Sequence, residues 1–243
     1  MKAGVTSFDA IVLRAIPEIA RLGDAAVAML ARFAGLLLAA NERTNLTTIT
    51  DPQRMAVAHF ADSLAALDAA PAQLAAARRA ADVGCGAGFP LIPLAVAFPG
   101  CEWTGIESVG KKASFIAQVS QELGLTNVTT LAMRAEDAGR DPAWRGMFDL
   151  VTARAVGSTA SLLEVGLPLL RDGGLLLLWK TAADASPLET VAGLLGGRVE
   201  PPYAYRFAGD RQDRLILRVR KMAETPATYP RRAGVPFKRP LRA

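Results

Sequence analysis

From residue 79 onward the chain alternates short apolar runs with helical stretches, and that order leaves few architectures open to it. The runs are AADV (80–83), CEWTGIE (101–107), NVTTLAM (127–133), FDLVTAR (148–154) and LLLLWK (175–180). Residues 91–98, 111–123, 158–170 and 187–195, which lie between or beyond them, read as helices. Strands joined by helix-length crossovers run parallel, so the pattern predicts a parallel sheet with helices on both faces. Two further runs, VEPPYAYRF and DRLILRVRK, predict a closing antiparallel pair with a turn at Gly209–Asp210. The expected class is α/β: a Rossmann-like, seven-stranded, mostly parallel sheet.

Ahead of this core lies helical sequence. Residues 8–40 read as two helices interrupted around Gly23–Asp24. Asp51 followed by Pro52 is a helix start, an acceptor at the cap and a fixed φ at the first helical position, and predicts a helix to about Ala69. Three parts follow: a helical extension over 1–78, a core over 79–222, and a Pro/Arg-rich tail over 223–243. That tail has four prolines and no periodicity, and is expected to be extended or partly disordered. No run approaches 18 uncharged apolar residues, and no signal segment is recognisable. Two cysteines and one histidine exclude a disulfide framework and a four-cysteine zinc site and argue against structural metal. A soluble, cytoplasmic protein without a membrane partner is expected.

The chemistry gathers at strand ends, where open α/β sheets bind ligands. After the first run comes Gly84-Cys85-Gly86-Ala87-Gly88-Phe89-Pro90. Glycine allows positive φ and lets a ligand touch the main chain. A dinucleotide fingerprint would place its last glycine where Phe89 stands, so the spacing leans towards S-adenosylmethionine (AdoMet) instead. After the second run comes Glu107, placed to accept hydrogen bonds from ribose hydroxyls. After the third comes Arg134-Ala135-Glu136-Asp137, able to read an adenine edge. After the fourth comes Arg154, flanked by alanines and facing the cleft. His59 and Asp62, three apart, are expected to share one helix face, with Asp62 orienting the imidazole.

Charge is unevenly placed. Residues 1–197 carry 16 Lys+Arg against 19 Asp+Glu, whereas residues 198–243 carry 12 against 4. A basic end points to a polyanionic partner. Lys111 and Lys112 open a helix, where cations oppose the dipole, and so suggest an anion nearby. In the tail, Arg231, Arg232, Lys238, Arg239 and Arg242 alternate with Tyr229 and Phe237, a mixture suited to phosphate contact and base stacking.

Taken together, D-V-G-C-G-A-G-F-P, E-S-V-G-K-K (107–112), R-A-E (134–136) and A-R-A-V (153–156) resemble the RsmG (GidB) family. N-E-R-T-N-L-T (41–47), H-F-A-D-S-L (59–64), Lys180 and Y-P-R-R-A-G-V-P (229–236) match the same family, so the likeness runs over roughly residues 30–241. One departure is Leu91, where the family usually has a glycine. The resemblance implies a class I AdoMet-dependent methyltransferase, acting on N7 of one guanine in the 530-loop region of bacterial 16S rRNA. It implies that Gly84, Gly86, Gly88 and Phe89 wrap the methionine part of AdoMet, that Glu107 holds the ribose, and that Ala135 and Glu136 line the adenine side. Arg154 would stand where cofactor and target base meet, with His59 and Asp62 orienting. Lys111, Lys112, Lys180, Arg231 and Arg232 would bind RNA, in a naked strand or the small ribosomal subunit, and a monomer is favoured. S-adenosylhomocysteine would be the product.

Guanine N7 carries a lone pair and no proton, so this chemistry needs alignment rather than a general base. Three other readings stand beside it: a methyltransferase for another RNA, a protein or a small molecule; a nicotinamide dehydrogenase, against which Phe89 argues; and a non-catalytic RNA-binding module. The Pro201-Pro202-Tyr203 stretch, preceded by Glu200, reads as a turn leading into a strand.

Overall fold

The computed structural model describes residues 8–154, 157–181, 188–208 and 213–242. The expected turn at Gly209–Asp210, the start of the expected 187–195 helix, and Ala155 and Val156 of the arginine motif lie outside them. Seven strands form one sheet: β1 (Arg79–Val83), β2 (Glu102–Ile106), β3 (Val128–Leu131), β4 (Phe148–Arg154), β5 (Leu170–Thr181), β6 (Gly197–Tyr205) and β7 (Arg214–Lys221). Their order is β3-β2-β1-β4-β5-β7-β6. The first five are parallel, and β7 pairs antiparallel with both β5 and β6.

Alternation along the strands separates two cores. Leu175, Leu177 and Trp179 of β5 face one apolar layer, and Leu176 and Leu178 face the other. The first layer holds the N-terminal extension together with α1 (Asp24–Thr44), α2 (Leu91–Ala97) and α3 (Gly110–Leu123). The second holds α4 (Thr159–Gly166) and the short helix Glu189–Leu194. By length and composition α1 could cross a membrane, despite the expectation that no stretch qualifies. Here its stripe of Val27, Leu30, Phe33, Ala34 and Leu37 is buried in the first core.

Several elements depart from the sequence reading; residues 8–40, for one, form three helices rather than two, Ala10–Arg14, Pro17–Ala20 and Asp24–Thr44. The segment begun by Asp51, whose side chain accepts from the Arg54 amide at 2.8 Å, is not one regular helix. Ala56–Ala61 widens into a π-helical turn, an arrangement common at functional sites. Pro201 and Pro202 sit inside edge strand β6, at a register shift between Glu200 and Tyr203, rather than in a turn before it. An edge strand tolerates proline because its outward N–H groups have no ladder partner to lose.

The C-terminal segment is not an extended tail. It folds back over the second layer and ends in a helical turn, Val235–Lys238, with Pro236 buried. Much of the basic charge carried by residues 198–243 is neutralised internally. Arg218 and Arg220 pair with Glu200, Arg214 with Asp62, Arg206 with Asp213, and Arg231 with Glu164. Arg232, Lys238, Arg239 and Arg242 are left exposed.

Candidate active site

Chain order reverses between β1 and β4, the switch point at which such sheets bind ligands. A cleft of about 440 Å³ opens there, within the roughly 300–1,000 Å³ range of small-molecule sites. Its floor is the loop after β1. Gly84, Gly86 and Gly88 all have positive φ, at +70°, +55° and +98°. Their reasons differ. A Cβ on Gly86 would meet only the Gly84 carbonyl, at 3.7 Å, so that side of the loop is open to the cleft. A Cβ on Gly88 would meet Ile92 and Phe33 at 3.0 Å and Ile116 at 3.1 Å, so this glycine lets α1 close onto the loop. Leu91 lies against Gly105, where a Cβ would stand 2.7 Å from its Cδ2.

Glu107 directly follows β2 and is buried. Its Oε2 accepts from the Gly86 amide at 3.0 Å and its Oε1 from the Val109 amide at 2.8 Å. Each carboxylate oxygen has a further lone pair, so the group that fixes the loop also has acceptors for a ligand in the cleft it lines.

Above the loop stands an aromatic–cationic stack. His59 lies on Phe89 with ring centroids 4.7 Å apart and planes 25° from parallel, and the Arg154 guanidinium is 5.4 Å from the Phe89 centroid. His59 Nε2 is 2.8 Å from Thr47 Oγ1 and Nδ1 is 3.2 Å from the Ala58 carbonyl. Burial, aided by the nearby Arg154 charge, pushes the imidazole down to about 4, so it is neutral at physiological pH. Thr47 reaches this place because the Asn41 side chain clasps its backbone at both N–H and C=O, 2.8 and 2.9 Å.

Asp62 does not orient the imidazole as the three-residue spacing suggested. Its Oδ2 accepts from Arg154 Nη1 at 2.7 Å and its Oδ1 from Tyr205 Oη at 2.7 Å and Arg214 Nη1 at 3.0 Å. His59, inside the π-helical turn 56–61, engages Thr47 and Phe89, while Asp62, directly after it, engages the sheet.

Residues 26–192 match the family GidB, described as rRNA small subunit methyltransferase G. The chain belongs to this family. Among its relatives, a ribosomal RNA small subunit methyltransferase G of Desulfitobacterium hafniense is 41% identical over 212 residues, covering 86% of this chain and 87% of its own. One of Roseiflexus castenholzii is 41% identical over 225 residues, covering 91% and 94%. Similar solved structures include a 16S rRNA (adenine(1408)-N(1))-methyltransferase from Catenulisporales acidiphilia, at TM-score 0.53 and 18% identity, covering 63% of this chain and 90% of that one. The StiE O-MT domain superposes at TM-score 0.55 and 18% identity, covering 79% and 82%. Both have the methyltransferase fold seen here.

Against this family's motifs the cleft gathers Gly84, Gly86, Phe89, Glu107, Ala135, Glu136, His59 and Arg154. Lys112 lines it and Lys111 is exposed beside it. Lys180 donates to the Gly157 carbonyl at 2.9 Å. Glu136 is 2% exposed, and its Oε1 accepts from the Gly234 amide at 2.6 Å. It therefore anchors the C-terminal segment. Arg231, expected on RNA phosphate, instead meets the fully buried Glu164 through its amide, Nε and Nη2 at 2.6–2.8 Å. Tyr229 packs against the second core and Phe237 lines the cleft.

The sequence reading gives no role to Asp82, two residues ahead of Gly84. It is wholly buried in β1, its Oδ1 accepts from Thr152 Oγ1 at 2.8 Å, and burial pushes it up to about 7. The sequence itself carries the signal: a carboxylate within an apolar strand must find a partner or a proton.

Proposed function

We propose that this chain transfers the methyl group of AdoMet to N7 of one guanine in the 530-loop region of 16S rRNA. The observation that carries the reading is the open main chain at Gly86 beside the Glu107 carboxylate, at the β1/β4 switch point. AdoMet supplies an electrophilic methyl on a sulfonium centre. Gly84–Phe89 would hold its methionine part, Glu107 its ribose hydroxyls, and Ala135 its adenine side.

The remaining residues suit an acceptor that carries no proton to remove. His59 is neutral and hydrogen-bonded at both ring nitrogens, so it serves as packing beside the reaction centre rather than as a base. Arg154 is aimed into the same corner by Asp62 and the Ala58 carbonyl. Alignment alone can supply ~7–11 kcal/mol of rate acceleration. Cytosine C5 methylation would need a thiolate, and burial pushes the Cys85 thiol well up and Cys101 up to about 12. Lys111, Lys112, Lys180 and Arg232 would take RNA phosphates, and the enzyme would work in the cytoplasm on the small subunit or its rRNA.

Two measurements test this. Small-subunit rRNA from a deletion strain should lack one N7-methylguanine, restored by this chain and not by Gly86→Arg. Glu107→Ala should weaken S-adenosylhomocysteine binding in calorimetry while leaving RNA affinity nearly unchanged. An intact methyl mark in the deletion strain would end the assignment.

A further inference from the structure

The segment from Tyr229 to Arg239 is bolted to the core more firmly than a solubilising tail requires. Arg140 Nε donates to the Pro230 carbonyl at 2.7 Å and Arg145 Nη1 to the Tyr229 carbonyl at 2.8 Å. Glu164 and Glu136, both buried, accept from Arg231 and Gly234, and Ser161 Oγ donates to the Pro236 carbonyl at 2.8 Å. All these contacts fix one thing, the place of the helical turn that carries Phe237.

That place is specific. A Cβ on Gly157 would stand 2.6 Å from the Phe237 ring, so the chain after β4 has a bare residue where the ring seats. The half-buried ring also packs with the second core, to which Ala135 belongs and against which Met133 packs, and it lines the cleft that they line. Met133 and Ala135, which follow β3 and line the same cleft, are where the reading above puts the adenine.

We propose that Phe237 is a cofactor-binding residue: it gives the adenine of AdoMet an aromatic face, and residues 229–239 are a wall of that pocket, with the exposed Arg232 left for phosphate. Glu136, occupied by Gly234, acts there by holding the wall. This rests on the AdoMet reading of the cleft. A flat hydrocarbon ring suits a purine because stacking is insensitive to hydrogen-bond pattern, and such contacts are each worth about tenfold in affinity or more.

Calorimetry with S-adenosylhomocysteine on the full chain tests it. Phe237→Ala is expected to weaken binding about tenfold. Phe237→Leu keeps the seat over Gly157 filled, so it decides the matter if the alanine variant fails to fold. It should lose about three- to tenfold in affinity while its ligand-free melting temperature stays close to wild type. Wild-type affinity in Phe237→Leu would overturn the role of the ring and leave the cleft's assignment standing. A wild-type chain that ignores S-adenosylhomocysteine altogether would instead overturn the assignment, and this inference with it.

Discussion

Nη1 of Arg154 lies 2.7 Å from Oδ2 of Asp62, and both side chains are largely buried. The other carboxylate oxygen takes Tyr205 and Arg214, and the Asp62 carbonyl accepts from Trp179 Nε1 at 2.7 Å. One residue of the helical extension is thereby tied to β4, β5, β6 and β7. The cleft arginine is thus aimed by the extension and the antiparallel edge together, which makes the N-terminal layer a part of the site.

Asp62→Asn keeps the shape and removes the charge that two guanidiniums face. Breaking a buried pair from one side costs about 3–5 kcal/mol. Arg214 is partly exposed, so about 3 kcal/mol is expected from urea unfolding. Tyr205→Phe deletes one donor and should cost about 1 kcal/mol. Equal, small losses in both would mean that water already shares the carboxylate.

The loop glycines should separate stability from binding. Gly88→Ala forces φ +98° on a residue crowded by three side chains, and should lower stability by about 2 kcal/mol. Gly86→Ala, at φ +55° with open space beside it, should cost only about 1 kcal/mol. Its methyl would project into the cleft, so S-adenosylhomocysteine affinity should fall more than tenfold. Unimpaired binding by Gly86→Ala would show that the ligand does not approach this main chain.

What the sequence made legible was local. The parallel strands followed from apolar runs with helix-length spacers, and the loop from glycines next to a strand. Glu107 was readable because its partners, Gly86 and Val109, belong to the same crossover unit. The role of Asp62 is not legible in the sequence because its partners lie 92, 143 and 152 residues away, where no periodicity reaches. The fold of the C-terminal segment is hidden for a related reason. Prolines and arginines without periodicity look unfolded until buried acids such as Glu164, 67 residues upstream, are known to wait for them.

Neighbouring arginines in that segment should behave oppositely. Arg231→Ala leaves the buried Glu164, among the described residues, with only a backbone donor, at a cost of roughly 2–4 kcal/mol for a pair exposed on one side. Arg232 is exposed, so its alanine variant should stay within about 0.5 kcal/mol of wild type. Its loss should instead reduce the salt dependence of RNA binding by about 0.7 in slope on single strands. An unchanged slope would place Arg232 away from phosphate.

Asp82 makes stability depend on pH with a definite sign. Its carboxyl sits at about 7 in the fold against an ordinary 3.8, because burial disfavours the charged form. Between those values the folded chain holds a proton that the unfolded chain releases, so this residue's contribution declines as pH rises from about 4 to about 7. Asp82→Asn keeps the bond from Thr152 and cannot ionise. The variant's stability relative to wild type should therefore improve across that window, by roughly 4 kcal/mol in the limit, and be flat on either side. Urea midpoints for both proteins at pH 4.5, 6 and 8 measure it. A difference that stays constant across the three would mean that the carboxylate is ionised in the fold throughout, its charge stabilised by donors that the burial argument leaves out.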